Sequence, residues 1–273
     1  MKVLFLSELM FRHPASIFVG MKILLCNDDG IHAPGIAALH KAIAHLGDLH
    51  VCAPSTERSA AGHAITIYDP IRTMPVEKET GLSGIAVDGT PADCVKLAVS
   101  FLHKDDPPDL VVSGINLGSN TGISVLYSGT VSAASEAAIL GVPAIALSLC
   151  TYQNPNWETA AKVAADIVEK VARDPLPDGV LLNVNIPNLP FDQLKGMKAG
   201  QMGRSRFIER FTEHCDPRGN KYYWLDGDMK MLDDNAETDE SLVNKGYVSL
   251  TPIHIDLTAK HCMDQVVSWN LDF

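Results

Sequence analysis

The sequence is short of positive charge: 22 Lys and Arg stand against 33 Asp and Glu, a formal net charge of −11. Binders of nucleic acid or anionic membranes depend on a basic surface for their electrostatic attraction, so neither duplex nucleic acid nor a membrane surface is expected as a partner. A small phosphorylated ligand stays open, because a metal or a local Arg cluster reverses the sign at one pocket. Also missing is any CxxC spacing among the cysteines at 26, 52, 94, 150, 215 and 262. Four of them fall within apolar segments, which reads as reduced core cysteine in a cytoplasmic protein and not as zinc ligation. No apolar run reaches the roughly 20 residues of a membrane span. Residues 1–20 resemble a signal peptide only in part. Glu8, Arg12, His13 and Pro14 interrupt the apolar stretch and no small-x-small cleavage site follows, so an over-long start or a poorly ordered extension is expected there.

What is present is a chain of 273 residues, 46% apolar, enough for a large core. Short apolar runs alternate with helical patterns over residues 21–190. Strands are expected at 22–27, in "LHVCAPS", "GIAV", "DLVVSGIN", "PAIALSLC" and "VLLNVNIP". Helices are expected in "PGIAALHKAIAHLG", stopping at Gly47, after Thr90-Pro91, in "GTVSAASEAAILG" and over 157–173. Such alternation implies an α/β fold, a Rossmann-like, mostly parallel sheet with helices on both faces. Residues 21–195 form this core. Residues 196–273 change rhythm: two strands around Asp216-Pro217-Arg218-Gly219, an acidic stretch "LDDNAETDE" read as a solvated connection, a strand in "GYVSLTPIHIDLT" and a short terminal helix. The hairpin is a candidate oligomer arm, with an edge of the main sheet as the alternative.

Ligands of parallel sheets bind outside the carboxyl ends of the strands, and polar residues collect there. Asn27, Asp28 and Asp29 close the first strand. Ser55, Arg58, Ser59 and His63 follow the second. Ser113, Asn116 and Asn120 close "DLVVSGIN", and Ser128-Gly129-Thr130 opens a helix. Singly each has a plain explanation as a turn, cap or loop residue; their convergence on one edge is the argument. Adjacent carboxylates about 3.8 Å apart at Cα disfavour each other unless a cation compensates. Two carboxylates with Ser and Asn oxygens suit Mg²⁺ or Mn²⁺, and a helix mouth offers N–H groups to an anion. A hard cation beside an anion site suits phosphoryl transfer, with an Asp carboxylate orienting or deprotonating the attacking water.

The blocks "KILLCNDDGIHAPGI", "APSTERSAAGHAIT", "GTPADCV", "DLVVSGINLGSNTG", "YSGTVSAASEA" and "YVSLTPIHIDLT" resemble, in order from about 21 to 258, the SurE family of survival-protein-E nucleotidases. The resemblance implies a metal-dependent phosphatase that hydrolyses nucleoside 5′- and often 3′-monophosphates, and sometimes short polyphosphate. It implies one divalent cation per subunit, Mg²⁺ or Mn²⁺, held by Asp28, Asp29, Ser59 and Asn116. Asp28 and Asp29 would be the catalytic carboxylates. Asn116, Ser128, Gly129 and Thr130 would bind phosphate. His254 would support the site or a subunit hinge. A homodimer or homotetramer with a swapped C-terminal segment is also implied. Residues 1–20 have no counterpart in the family core, and Leu117 stands where many relatives carry a basic residue.

Other readings fit less well. A haloacid-dehalogenase-type phosphatase needs a second Asp two residues after the first, where this chain has Gly30. A receiver-type module would be about half this long and carry a phosphoacceptor Asp at its third strand, where Asp88 reads as a helix-entry turn. A dinucleotide binder needs G-x-G-x-x-G after its first strand. The rival of another class is a non-catalytic nucleotide sensor using the same metal pocket.

Overall fold

The computed structural model describes residues 20–78, 81–230, 232, 235–269 and 271. The extension expected at the start of the chain falls on residues 1–19, outside those described, apart from the exposed turn residue Gly20. The core elements in chain order are β1 (Lys22–Cys26), α1 (Pro34–Ile43), β2 (Asp48–Pro54), β3 (Thr73–Glu77), β4 (Ser83–Val87), α2 (Pro91–Leu97), β5 (Leu110–Leu117), α3 (Gly129–Ile139), β6 (Ala144–Cys150), α4 (Trp157–Arg173) and β7 (Val180–Pro187). Then come β8 (Met197–Ala199), β9 (Arg206–Cys215), β10 (Lys221–Lys230), α5 (Asp239–Asn244), β11 (Val248–His254) and α6 (Met263–Val267).

Among the described residues nine strands form one sheet, ordered β3-β4-β2-β1-β5-β6-β7-β11-β8. The run β4-β2-β1-β5-β6-β7 is parallel, and β3 and β11 join it antiparallel. The central strands have no polar alternation because both faces are covered. In β1, Ile23 and Leu25 pack with Ile36, Leu39 and Ile43 of α1 and Val163 and Ile167 of α4. Leu24 and Cys26 point the other way, onto Val95 of α2 and Val131, Ala134 and Ala137 of α3. Two helix layers thus sandwich the sheet, as expected.

Several local expectations change. α1 ends at Ile43, not at Gly47, because the chain turns there to bury Leu46 and to start β2 beside β1, with the Asp48 amide donating to the Met21 carbonyl at 2.8 Å. β3 carries no clear strand signal in the sequence, since Pro75 interrupts an exposed edge strand. The hairpin β9–β10 is a separate two-stranded sheet, so it is not an edge of the main one. The acidic stretch is not wholly solvated either: Asp239 is fully buried at the start of α5, accepting the amides of Gly122 at 2.9 Å and Gly203 at 3.0 Å.

Candidate metal and phosphate site

Beyond Cys26 the chain turns out of the sheet at its carboxyl edge. The turn is closed by Asn27 Nδ2 donating to the Gly30 carbonyl at 2.9 Å. It carries Asp28, buried, and Asp29, half-buried. Asp28 Oδ1 accepts the Thr130 hydroxyl, and the Thr130 amide adds a second bond. Burial nevertheless outweighs these donors and pushes the Asp28 carboxyl above its ordinary range. Burial first, and then the Asp28 charge, push Asp29 up to about 6. Glu57 contributes in the same direction to both. It is a third carboxylate of this neighbourhood that sequence reasoning missed, because only the fold brings it near.

β5 lies beside β1, with Cys26 opposite Ser113. Its register against β6 slips between Ser113 and Asn116. The slip passes through Gly114, whose φ of +132° and whose position 2.4 Å (as a built Cβ) from the Leu147 carbonyl oxygen exclude a side chain. Such a bulge re-aims the residues that follow it. The Leu117 amide then donates to Asp29 Oδ2 at 3.3 Å, drawing the end of β5 onto the acidic pair. Asn116 Nδ2 donates to the Gly118 carbonyl at 2.9 Å. After β2, the Arg58 amide donates to the Asp28 carbonyl at 2.8 Å, so Ser59 directly follows the residue whose backbone is tied to Asp28. The Ser59 hydroxyl itself donates to Glu57 Oε1 at 2.7 Å.

Three of the four expected ligand residues, Asp28, Asp29 and Asn116, therefore sit on adjoining strand ends, and the fourth arrives on a loop tied to Asp28. The donor set is all oxygen. Neither Asp28 nor Asp29 forms an ion pair among the described residues, and Arg58 sends its guanidinium away to Asp88 at 3.0 Å. No three His, Cys, Asp or Glu side chains among the described residues gather as a metal cluster, so a cation here relies on the neutral oxygens of Ser59 and Asn116 as well. Uncompensated carboxylates with raised pKa beside neutral oxygens fit a hard divalent ion.

Ser128 caps α3, accepting the Val131 amide at 3.1 Å. The Thr130 hydroxyl donates to Asp28 and so holds the carboxylate. Gly129 packs closest: a Cβ built on it would lie 2.7 Å from Asp28 Cβ and 3.0 Å from Asp28 Oδ2. His254 does not join them. It ends β11, which runs antiparallel to β7 and sets His254 opposite Val180, the first residue of β7, at the far edge of the sheet. Within this chain it lines a cavity of about 180 Å³ with His63 and with Val131 and Ser132 of α3.

The loop after β5 rests on a buried ladder that sequence reasoning also missed. The Asn120 amide donates to Asn185 Oδ1 at 2.8 Å, Asn120 Nδ2 donates to Ser148 Oγ at 2.9 Å, and Asn183 Nδ2 donates back to the Asn120 carbonyl at 2.8 Å. The available signal was two asparagines at period two in the otherwise apolar β7.

The family model described as "Survival protein SurE" matches residues 23–209. A protein named 5′-nucleotidase SurE from Syntrophobacter fumaroxidans is 47% identical over 251 residues, 92% of this chain and 100% of that one. One of the same name from Desulforamulus reducens is 48% identical, covering 91% of this chain and 98% of its own. The solved SurE protein of Aquifex aeolicus superposes with a TM-score of 0.80 at 41% identity, over 92% of this chain and all (100%) of its own.

Proposed function

This chain belongs to the survival protein SurE family, and on that premise we propose that it is a 5′-nucleotidase whose Asp28, Asp29, Ser59 and Asn116 hold one divalent cation, Mg²⁺ or Mn²⁺. When bound, such an ion polarises a phosphoryl oxygen and lowers the pKa of water. The chain's own residues do the rest. The mouth of α3, at Gly129, presents amide N–H and the positive end of the helix to the phosphate. Thr130 holds Asp28 from one side, and the Leu117 amide holds Asp29 from the other. A carboxylate oxygen of the pair orients the attacking water and takes its proton. The new P–O bond forms to that water as the bond to the nucleoside oxygen breaks, and the departing oxygen takes up a proton.

The observation that carries this reading is the acidic pair, with no cationic partner among the described residues, facing a helix mouth at the carboxyl rim. Action on 3′-monophosphates or short polyphosphate, a cytoplasmic location and assembly through the hairpin belong to the same proposal. Phosphate release from nucleoside monophosphates should require Mg²⁺ or Mn²⁺ and stop with a chelator. Asp28→Asn and Asp29→Asn should each lower turnover by about 100-fold or more. Normal turnover in both variants would remove the site assignment. A wild-type chain that binds nucleotide and metal but releases no phosphate would be a sensor.

A further inference from the structure

A cavity of about 410 Å³ opens at the same carboxyl rim, lined by Arg58, Thr66, Asp69, Arg72, Asp88 and Thr90. It falls within the size range of small-molecule sites. A second cavity, of about 350 Å³, lies around Met21, Asp109 and Pro143, at the opposite, amino-terminal edge of the strands, where it cannot serve the site described above.

The walls of the rim cavity share residues with that site. Arg58 reaches both: its amide bonds to the Asp28 carbonyl at 2.8 Å, and its guanidinium lines the cavity. Thr90 lines it too, and the next residue, Pro91, has its Cγ 3.1 Å from a Cβ built on Gly129. The strands that deliver these walls, β2 and β4, are the first and second neighbours of β1 on one side. The cavity is therefore one to two strand spacings from the acidic pair, roughly 5–10 Å.

Its charge decides what fits. Arg58 and Arg72 face Asp69 and Asp88, so the lining is balanced and offers no surplus attraction to a second phosphate. The Arg58–Asp88 pair is itself partly exposed, so it is weak enough to yield to a ligand. Arg72 and Asp69 form no ion pair among the described residues. Guanidinium planes stack on planar rings, and carboxylates accept from hydroxyl and amino groups. We infer that this cavity receives the nucleoside moiety, uncharged, with a planar base and a hydroxyl-bearing ribose, of the monophosphate whose phosphoryl group sits at Asp28 and Gly129. Arg72 and Asp69 are then specificity-determining residues. This rests on the nucleotidase reading and names the part of the substrate that the reading leaves unplaced.

The test compares AMP with phenyl phosphate, which carries no nucleoside, on wild type, Arg72→Ala and Asp69→Ala. Both side chains are exposed, so neither change threatens the fold. The ratio of kcat/KM for AMP over phenyl phosphate should fall about tenfold in each variant, the scale of one lost charged hydrogen bond. Binding of adenosine alone, by calorimetry, should weaken in parallel. A ratio within about twofold of wild type in both variants, or adenosine binding unchanged in both, overturns the inference. If wild type releases phosphate from neither substrate, the nucleotidase reading fails. Adenosine binding then still decides the cavity, supporting it if Arg72→Ala weakens binding and overturning it if not.

Discussion

Asp28 is gripped on one side by the Thr130 hydroxyl and pressed on another by Gly129, so the residues around it tolerate little change. Gly129→Ala would put a methyl 2.7 Å from Asp28 Cβ, well inside contact distance, and the carboxylate has to move. The expected result is a large fall in kcat with a smaller fall in stability, read from steady-state kinetics beside a urea unfolding curve. Full activity in this variant would mean that Asp28 need not stay where the structure holds it. Thr130→Val keeps the shape and removes one donor to a buried carboxylate, a loss of about 1–3 kcal/mol. At this scale the sequence was legible where a side chain ends a strongly patterned strand, as Asp28, Asp29 and Asn116 do. Glu57 was not legible, because its effect on the pair is a through-space charge and nothing in its neighbours along the chain marks it.

The element that needs most support is the long irregular connection between β2 and β3, which carries Ser59. Two buried acids pin it to the helices. Glu136 of α3 bonds His63 at 2.9 Å and Lys96 of α2 at 2.5 Å. Asp93 of α2 accepts the Thr66 amide at 2.9 Å and hydroxyl at 2.7 Å. Burial pushes the Glu136 carboxyl up, but the bonds and charges of His63 and Lys96 outweigh it and hold it below its ordinary range. A carboxyl depressed in the folded state contributes stability above its unfolded pKa, about 4.3 for Glu. That contribution is lost as pH falls through the folded value. Glu136→Gln should therefore be less stable than wild type at neutral pH, and the gap should shrink on acidification, measured by urea unfolding at about pH 7 and about pH 3. A constant gap would show that the ion pairs contribute nothing. The capping box at Thr90 was half visible: Thr90-Pro91 announced the helix, and Asp93, which completes the box, is also the residue that holds the loop.

For the whole molecule, metal and assembly are the testable matters. A cation bound only by the folded chain stabilises it by about 2.7 kcal/mol at 100 times its Kd. Mg²⁺ or Mn²⁺ should thus raise the thermal midpoint of wild type and leave that of Asp29→Asn unmoved; an equal rise in both would place the ion elsewhere. The hairpin β9–β10 exposes Phe211, Tyr223, Trp224 and Leu225, a concentration of apolar surface of the kind that marks an interaction site. If it is the assembly arm, removing residues 206–230 should convert an oligomer to a monomer in sedimentation, and an unchanged mass would assign assembly to another surface.

The order of the elements, the helix starts and the polar strand ends were written in the chain itself, because period, caps and turn residues act between near neighbours. Tertiary structure alone decided that β1 lies between β2 and β5, which brings residues 28, 59 and 116 to one rim. It also decided that β11 runs backwards and carries His254 to the opposite edge, and that burial lifts Asp29 to about 6. Strand neighbours, direction and desolvation depend on contacts between residues far apart in sequence, and no local pattern carries that information.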